Sequence, residues 1–258
     1  MSTGSDRNRK VCALIPAYRA GKTLEKVLKR IPAEFVQKII VVDDGSPDDT
    51  SEVLARHPEV TALRHEVNRG YAQAQITLYR AALASDCDIF IILHADCGHY
   101  PEEIPAMLSP IVTGPDDMVV GSRMLGLLER AAPMANSRFL GAVIRGEMPG
   151  YKVVANCALT TIQNVCCGTR FNSFHDGFRA ITREALVRVP FDSFNVGYLY
   201  DATFLVEAHR AGLRIAEIPV GSCYDADAGS SVPVMRYGFQ TLAWSFDYLR
   251  RGALRRTG

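Results

Sequence analysis

No charge of either sign dominates this chain: 29 Lys and Arg stand against 28 Asp and Glu over 258 residues. A balanced chain carries no broad field for a polyanion, so nucleic acid is not an expected partner and charge must be read patch by patch. Cysteine is sparse, seven in all, with only Cys166 and Cys167 adjacent and no CxxC spacing. The odd, scattered set argues against a disulfide framework or a thiolate zinc site, and a reducing cytosol is the expected home. No run approaches the roughly 18 uninterrupted apolar residues of a membrane span, and no apolar stretch follows the basic start "MSTGSDRNRK" as a secretory leader would require. The expectation is a cytoplasmic protein, soluble or peripheral at the inner face of a membrane. Glycine is also missing where nucleotide folds often need it. "IPAYRAGKTL" has a single glycine, so a dinucleotide fold, a P-loop and a nucleotidyltransferase are all disfavoured.

What is present is a core. Hydrophobic residues make up 48% of the chain, enough for one large domain. The runs "VCALIPAY", "KIIVVDD", "VTALRHE", "DIFIILHAD" and "DMVVGSR" read as strands, and Lys22–Arg30, Asp49–Arg56, Tyr71–Ala84 and Pro101–Ile111 carry helical spacing. Continuous apolar strands alternating with helices predict an open α/β fold, a mostly parallel twisted sheet with helices on both faces. Residues 124–175 read as an inserted helical segment, with helical spacing in "YKVVANCALTTIQNVCCG". "DGFRAITREALVRVPF" then suggests a strand and a helix, and "LYDATFLVEAHRAGLRIAEIPV" a helix and a last strand. The expected organisation is a flexible stretch 1–10, one domain 11–233 with a donor half 11–123 and an acceptor half 124–233, and a C-terminal helix 234–258.

In such folds ligands lie beyond the carboxyl ends of the strands. Three strands end there in candidate binding residues: Pro16, Ala17 and Tyr18, then Asp43 and Asp44, then His94, Ala95 and Asp96. Asp48 and Asp49 read as turn and cap residues. Asp43 and Asp44 read as ligand-binding, because two adjacent carboxylates exceed what capping needs.

"LIPAYRAGKTLEKVLKRIP", "IIVVDDGSPDDT", "NRGYAQAQ", "HADCGHYPEEI" and "VVGSRM" occur in this order, followed by "MPGYKVVANCALT", "HDGFRAI", "YLYDATFL" and "YDADAGSS". Together they resemble the family-2 glycosyltransferases of the GT-A fold, in the branch that includes dolichyl- and polyprenyl-phosphate sugar synthases. The resemblance implies a UDP- or GDP-sugar donor, with base and ribose near Pro16, Ala17, Tyr18, Asp43 and Asp44. It also implies a divalent metal, Mg²⁺ or Mn²⁺, at a DxD motif after the fourth strand. Here that motif reads His94-Ala95-Asp96. Three readings follow: Asp96 alone holds the ion while His94 hydrogen-bonds the donor; both ligate it; or catalysis is lost and the chain is a nucleotide-sugar-binding pseudoenzyme.

On the acceptor side the resemblance implies Asp201 as base, against a local reading as a helix N-cap, and His175 and Asp176 as further catalytic candidates. Arg123 is a candidate for a phosphate of donor or acceptor. Arg69 and Arg179 read as solvated, His99 as a turn residue, and His57, His65 and His209 as needing no function. The expected acceptor is a polyprenyl phosphate or some other hydroxyl or phosphate compound, such as a small soluble hydroxyl acceptor. Asp225 and Asp227 stand in the late loop where lipid-phosphate enzymes of the family carry positive charge. The tail places Met235, Phe239, Leu242, Phe246 and Leu249 on one helical stripe, beside Tyr237, Trp244 and Tyr248 and flanked by Arg236, Arg250, Arg251, Arg255 and Arg256. That stripe suits a membrane surface, or packing on the domain or in a homodimer.

Overall fold

Strand β1 (Val11–Ala17) is buried almost end to end, and side chains alternate between two cores. Cys12 and Leu14 join one cluster; Ala13 and Ile15 join the other. That two-sided burial is why the strand reads as a continuous apolar run, and each fully buried Leu or Ile contributes roughly 1.5–3 kcal/mol. A computed structural model describes residues 9–131, 150–194, 196–221 and 234–254. After β1 come α1 (Leu24–Arg30), β2 (Lys38–Asp43), α2 (Thr50–Ala55), β3 (Val60–Arg64), α3 (Tyr71–Ala84), β4 (Ile89–Ile92), α4 (Ile104–Val112), β5 (Met118–Ser122) and α5 (Arg123–Ala131). Then follow α6 (Gly150–Cys167), β6 (Arg179–Thr182), α7 (Arg183–Arg188), α8 (Tyr200–Arg210), β7 (Ile215–Pro219) and α9 (Val234–Leu254).

The seven strands form one sheet in the order β3-β2-β1-β4-β6-β5-β7. Strand β1 pairs parallel with β2 on one side and β4 on the other, so the chain reverses its direction of growth beside β1. A crevice opens at such a switch point, beyond the strands' carboxyl ends. Strand β6 runs antiparallel between β4 and β5. Its amino end therefore reaches the same edge at which β1, β2 and β4 finish. Ile92 pairs with Arg179, and continuing that register two residues sets His94 opposite Gly177.

The tail helix α9 packs against α6 through a face that includes buried Thr241, Ser245 and Tyr248. Tyr248 belongs to the larger core cluster, and its ring meets Trp244 at 4.6 Å between centroids. Phe239, Phe246 and Leu249 lie on the exposed side. The expected apolar stripe and the packing face are thus different faces of one helix. Asp225 and Asp227 lie outside the described residues. Among the described residues no helix is long and apolar enough to cross a membrane.

Candidate active site

Two of the loops at the carboxyl edge contain the backbone conformations that L side chains disfavour. Arg19 after β1 and Cys97 after β4 have φ of 54° and 60°, the two positive-φ non-glycine residues among those described. Such residues cost on the order of 1–3 kcal/mol each and gather at functional sites. The Arg19 turn is held by its amide donating to Ser46 Oγ at 3.0 Å, followed by Ala20 to Thr50 Oγ1 at 2.9 Å and Gly21 to Asp48 Oδ2 at 3.1 Å. Tyr18 stays exposed, while Ala17 is buried and its carbonyl accepts from the Asp44 amide at 2.8 Å.

Asp43 and Asp44 reach this edge but are buried, and their oxygens have partners within the fold. Asp43 accepts from the Ser46 amide at 2.8 Å and from Ser51, and faces Arg64 at 3.3 Å. Asp44 accepts from the amides of Arg69 at 2.9 Å and Gly70 at 2.8 Å, and pairs with His65 Nδ1 at 2.6 Å. Its carboxylate therefore sits at the amino end of α3, where the helix dipole favours an anion, and fixes where that helix starts. His65 works as a support for Asp44.

The first residue of α3 is Tyr71, and its hydroxyl lies deep in the crevice. It meets Asp201 Oδ1 at 3.0 Å and Oδ2 at 2.8 Å, Gln75 Nε2 at 2.7 Å and His94 Nε2 at 3.0 Å. Burial raises the phenol's pKa, so it stays protonated. Asp201, in the first turn of α8, makes no side-chain cap. It turns inward to Tyr71 and forms an ion pair with Arg179. Arg179 is 1% exposed, which corrects the expectation of a solvated arginine: the antiparallel strand β6 carries it into the core beneath the site, where Phe204 covers its guanidinium.

His94 is held with its ring against Gly177 and edge-on to Tyr71. Burial lowers the imidazole's pKa, with Arg179 and Arg123 adding to the shift and Asp96 and Asp176 opposing it. Asp96 is exposed, and its Oδ1 accepts from the Gly98 amide at 2.9 Å across the Cys97 turn. Partial loss of water around its carboxyl pushes it up, but His94, the Gly98 amide, His99 and Arg123 outweigh this and hold it below the usual range. Next to it, His99 is buried against Phe178 and His94, with Nδ1 lacking a hydrogen-bond partner. Burial first, then the charge of Arg123, pushes it down to about 3. It is a turn residue, as expected, but one enclosed in the site.

Ahead of β6, Asp176 is buried and paired with the Arg123 guanidinium, and it also accepts from the Arg123 amide at 3.3 Å. Burial raises its carboxyl, but the charges of Arg123 and His99 together with hydrogen bonds from Arg123 and Ser173 outweigh this and hold it below the usual range. His175 Nδ1 lies 2.8 Å from the Tyr237 hydroxyl on α9, and burial pushes the ring down to about 4. The tail helix thus touches the crevice.

The structure therefore brings His94, Asp96, Asp176, Arg123 and Asp201 to one edge, with Pro16, Ala17 and Tyr18 across from them. Sequence reasoning missed Tyr71 and Arg179. A tyrosine after "NRG" carries no catalytic spacing, and only the β4/β6 register brings Arg179 beneath Asp201.

A parallel-dominated sheet with a polar crevice at its switch point places a ligand site beyond the strands' carboxyl ends. Residues 12–178 match glycosyl transferase family 2. The chain belongs to this family and is a glycosyltransferase using a nucleotide sugar. It is 34% identical to a dolichol-phosphate mannosyltransferase of Pyrococcus furiosus over 81% of this chain and 55% of the relative. It is 27% identical to a UDP-N-acetylglucosamine–dolichyl-phosphate N-acetylglucosaminyltransferase of Methanococcus voltae, covering 82% of this chain and 84% of that one. Among solved structures, glucosyl-3-phosphoglycerate synthase of Mycobacterium tuberculosis, crystallised with Mn²⁺, UDP and glucosyl-3-phosphoglycerate, superposes with a TM-score of 0.63 at 23% identity, covering 92% of this chain and 78% of that one. This last likeness establishes the GT-A fold.

Proposed function

We propose that the protein is an inverting glycosyltransferase that moves a sugar from a UDP- or GDP-linked donor onto a polyprenyl phosphate. The observation that carries the acceptor class is the state of the three candidate bases: Asp176 lies against Arg123, Asp201 lies against Arg179, and His175 is engaged by the Tyr237 hydroxyl and pushed down by burial to about 4, which makes it a weak base. A carboxylate held by an arginine is a poor proton acceptor for an alcohol. A phosphate nucleophile is already an anion and needs no base. The names of the relatives from P. furiosus and M. voltae, both acting on dolichyl phosphate, support the same class.

On this reading the exposed ring of Tyr18 offers a stacking face for the nucleobase, and Pro16 and Ala17 line the base and ribose subsite. Asp43 and Asp44 shape that subsite by fixing its loops. Ala95, Asp96 and Arg123 lie on the phosphate side. A divalent cation, when bound, supplies charge neutralisation as the nucleoside diphosphate departs. The exposed Asp96 carboxylate suits Mg²⁺ or Mn²⁺, since such ions bind through one or two carboxylates and complete their shell with substrate phosphates and water. Among the described residues no three ligating side chains gather, so that completion is required. The exposed Phe239, Phe246 and Leu249 of α9 would lie on a lipid surface and bring the acceptor to the crevice.

The test is transfer itself. UDP- and GDP-linked hexoses with Mn²⁺ or Mg²⁺ are offered a short polyprenyl phosphate and the matching polyprenol, and lipid products are read by mass spectrometry. A glycosyl phospholipid formed from the phosphate is expected. Transfer to the alcohol alone would overturn the acceptor class, and neither transfer nor donor hydrolysis would indicate a binding protein without turnover.

A further inference from the structure

The Tyr71 hydroxyl has more neighbours than protons. A phenol has one hydrogen to give and can accept through its oxygen. Ionised Asp201 can only accept, and both its oxygens lie within 3.0 Å of Tyr71, so the phenolic hydrogen goes there. The Gln75 amide nitrogen, at 2.7 Å, can only donate, and it occupies one acceptor direction. What remains at Tyr71 is acceptor capacity facing His94 Nε2 at 3.0 Å. His94 must therefore carry its proton on Nε2, an assignment that follows from counting donors and acceptors around the ring. In a neutral imidazole the other nitrogen, Nδ1, then holds the lone pair.

We propose that Tyr71 is a positioning residue that locks His94 in the Nε2–H tautomer and so reserves Nδ1 as a ligand, alongside Asp96, for the divalent cation of the donor site. The inference rests on the reading of Asp96 as the cation's carboxylate. The chain Asp201–Tyr71–His94 has the logic of the supports found behind metal-binding histidines, where a carboxylate fixes the tautomer and orients the ring. Here a phenol is interposed, which lets a carboxylate on α8 act on a histidine at the end of β4. The arrangement also explains how a histidine can stand where the first of the motif's two carboxylates would be expected. It offers a single, oriented lone pair of nitrogen, a donor that suits Mn²⁺ better than Mg²⁺. Gly177, having no side chain, leaves room for the Nε2–Cε1 edge of the ring, and Asp44 fixes the start of the helix that carries Tyr71.

The test does not read transfer. Two-bond ¹H–¹⁵N spectra of histidine-labelled protein identify the tautomer of His94, assigned by the signal lost in His94→Gln, and titration with Mn²⁺ in the presence of UDP or GDP gives the ion's affinity by electron paramagnetic resonance. The wild-type chain is expected to show the Nε2–H form. Tyr71→Phe is expected to lose that preference and to bind Mn²⁺ about 10- to 100-fold more weakly. An Nδ1–H form in the wild-type chain overturns the proposal without recourse to any variant. Unchanged Mn²⁺ affinity in Tyr71→Phe also overturns it but leaves Asp96 in its role, whereas no Mn²⁺ binding by the wild-type chain removes both.

Discussion

The imidazole of His94 occupies the space that a side chain at Gly177 would need: a Cβ there would lie 2.2 Å from His94 Nε2 and 2.4 Å from Cε1. The contact follows from the antiparallel register of β4 and β6, which sets these residues opposite each other. Gly177→Ala should cost about 1–3 kcal/mol by forcing the ring off its place. In a His94→Ala background the same change should cost much less, because residues in contact couple. Denaturant melts of the four proteins measure this, and an equal cost in both backgrounds would refute the contact.

Removing the positive partner beneath the site should be expensive. Arg179→Met leaves the Asp201 carboxylate without its ion pair in a nearly water-free position, and breaking a buried pair from one side costs roughly 3–5 kcal/mol. The variant should melt well below the wild type or fail to accumulate. A stability within about 0.5 kcal/mol of wild type would show that the pair does not hold α8 to β6.

Acid should destabilise the fold through His175. Its folded-state value of about 4 lies below the ordinary 6.5, so the unfolded chain binds the proton first. Its contribution is complete above pH 6.5 and is lost as pH falls from there through about 4. The melting temperature of His175→Gln should accordingly drop less steeply across that window. Parallel curves for the two proteins would contradict the burial of a neutral ring beside Tyr237.

The tail helix makes separable predictions for its two faces. Truncation from Arg236 removes Tyr248 from the core and Tyr237 from His175, so it should yield an insoluble or unstable protein. Phe239→Ser with Phe246→Ser alters exposed positions and should leave the melting temperature nearly unchanged, while abolishing sedimentation with anionic liposomes. Retained sedimentation would mean that this face does not meet lipid.

Much of this architecture was legible from local pattern. The apolar runs marked β1 to β5, and helical spacing marked α1 to α4 and the segment that forms α6, because a two-sided sheet leaves an unmistakable periodicity. Boundaries shifted where the chain leaves the sheet. "DIFIILHAD" forms strand only over Ile89–Ile92, since the following residues peel into the Cys97 turn that exposes Asp96. The antiparallel entry of β6 left no local trace, because it depends on pairing with β4 across some 90 residues. For the same reason Arg179 read as solvated. Asp96, Asp176, Asp201 and Arg123 were singled out by motif as candidates, but the pairing of Arg123 with Asp176 and the roles of Arg179 and Tyr71 as partners of Asp201 are assembled by topology.

On the proposed function, this crevice holds a nucleotide sugar through a cation on Asp96. The most direct measurement is the shift in melting temperature with UDP- and GDP-linked sugars, each with Mn²⁺, Mg²⁺ or a chelator, in the wild type and in Asp96→Ala. A shift for one donor class that needs the metal, and that disappears in a folded Asp96→Ala, is the predicted result. A shift that survives chelation or the loss of Asp96, or none with any donor, would contradict the account.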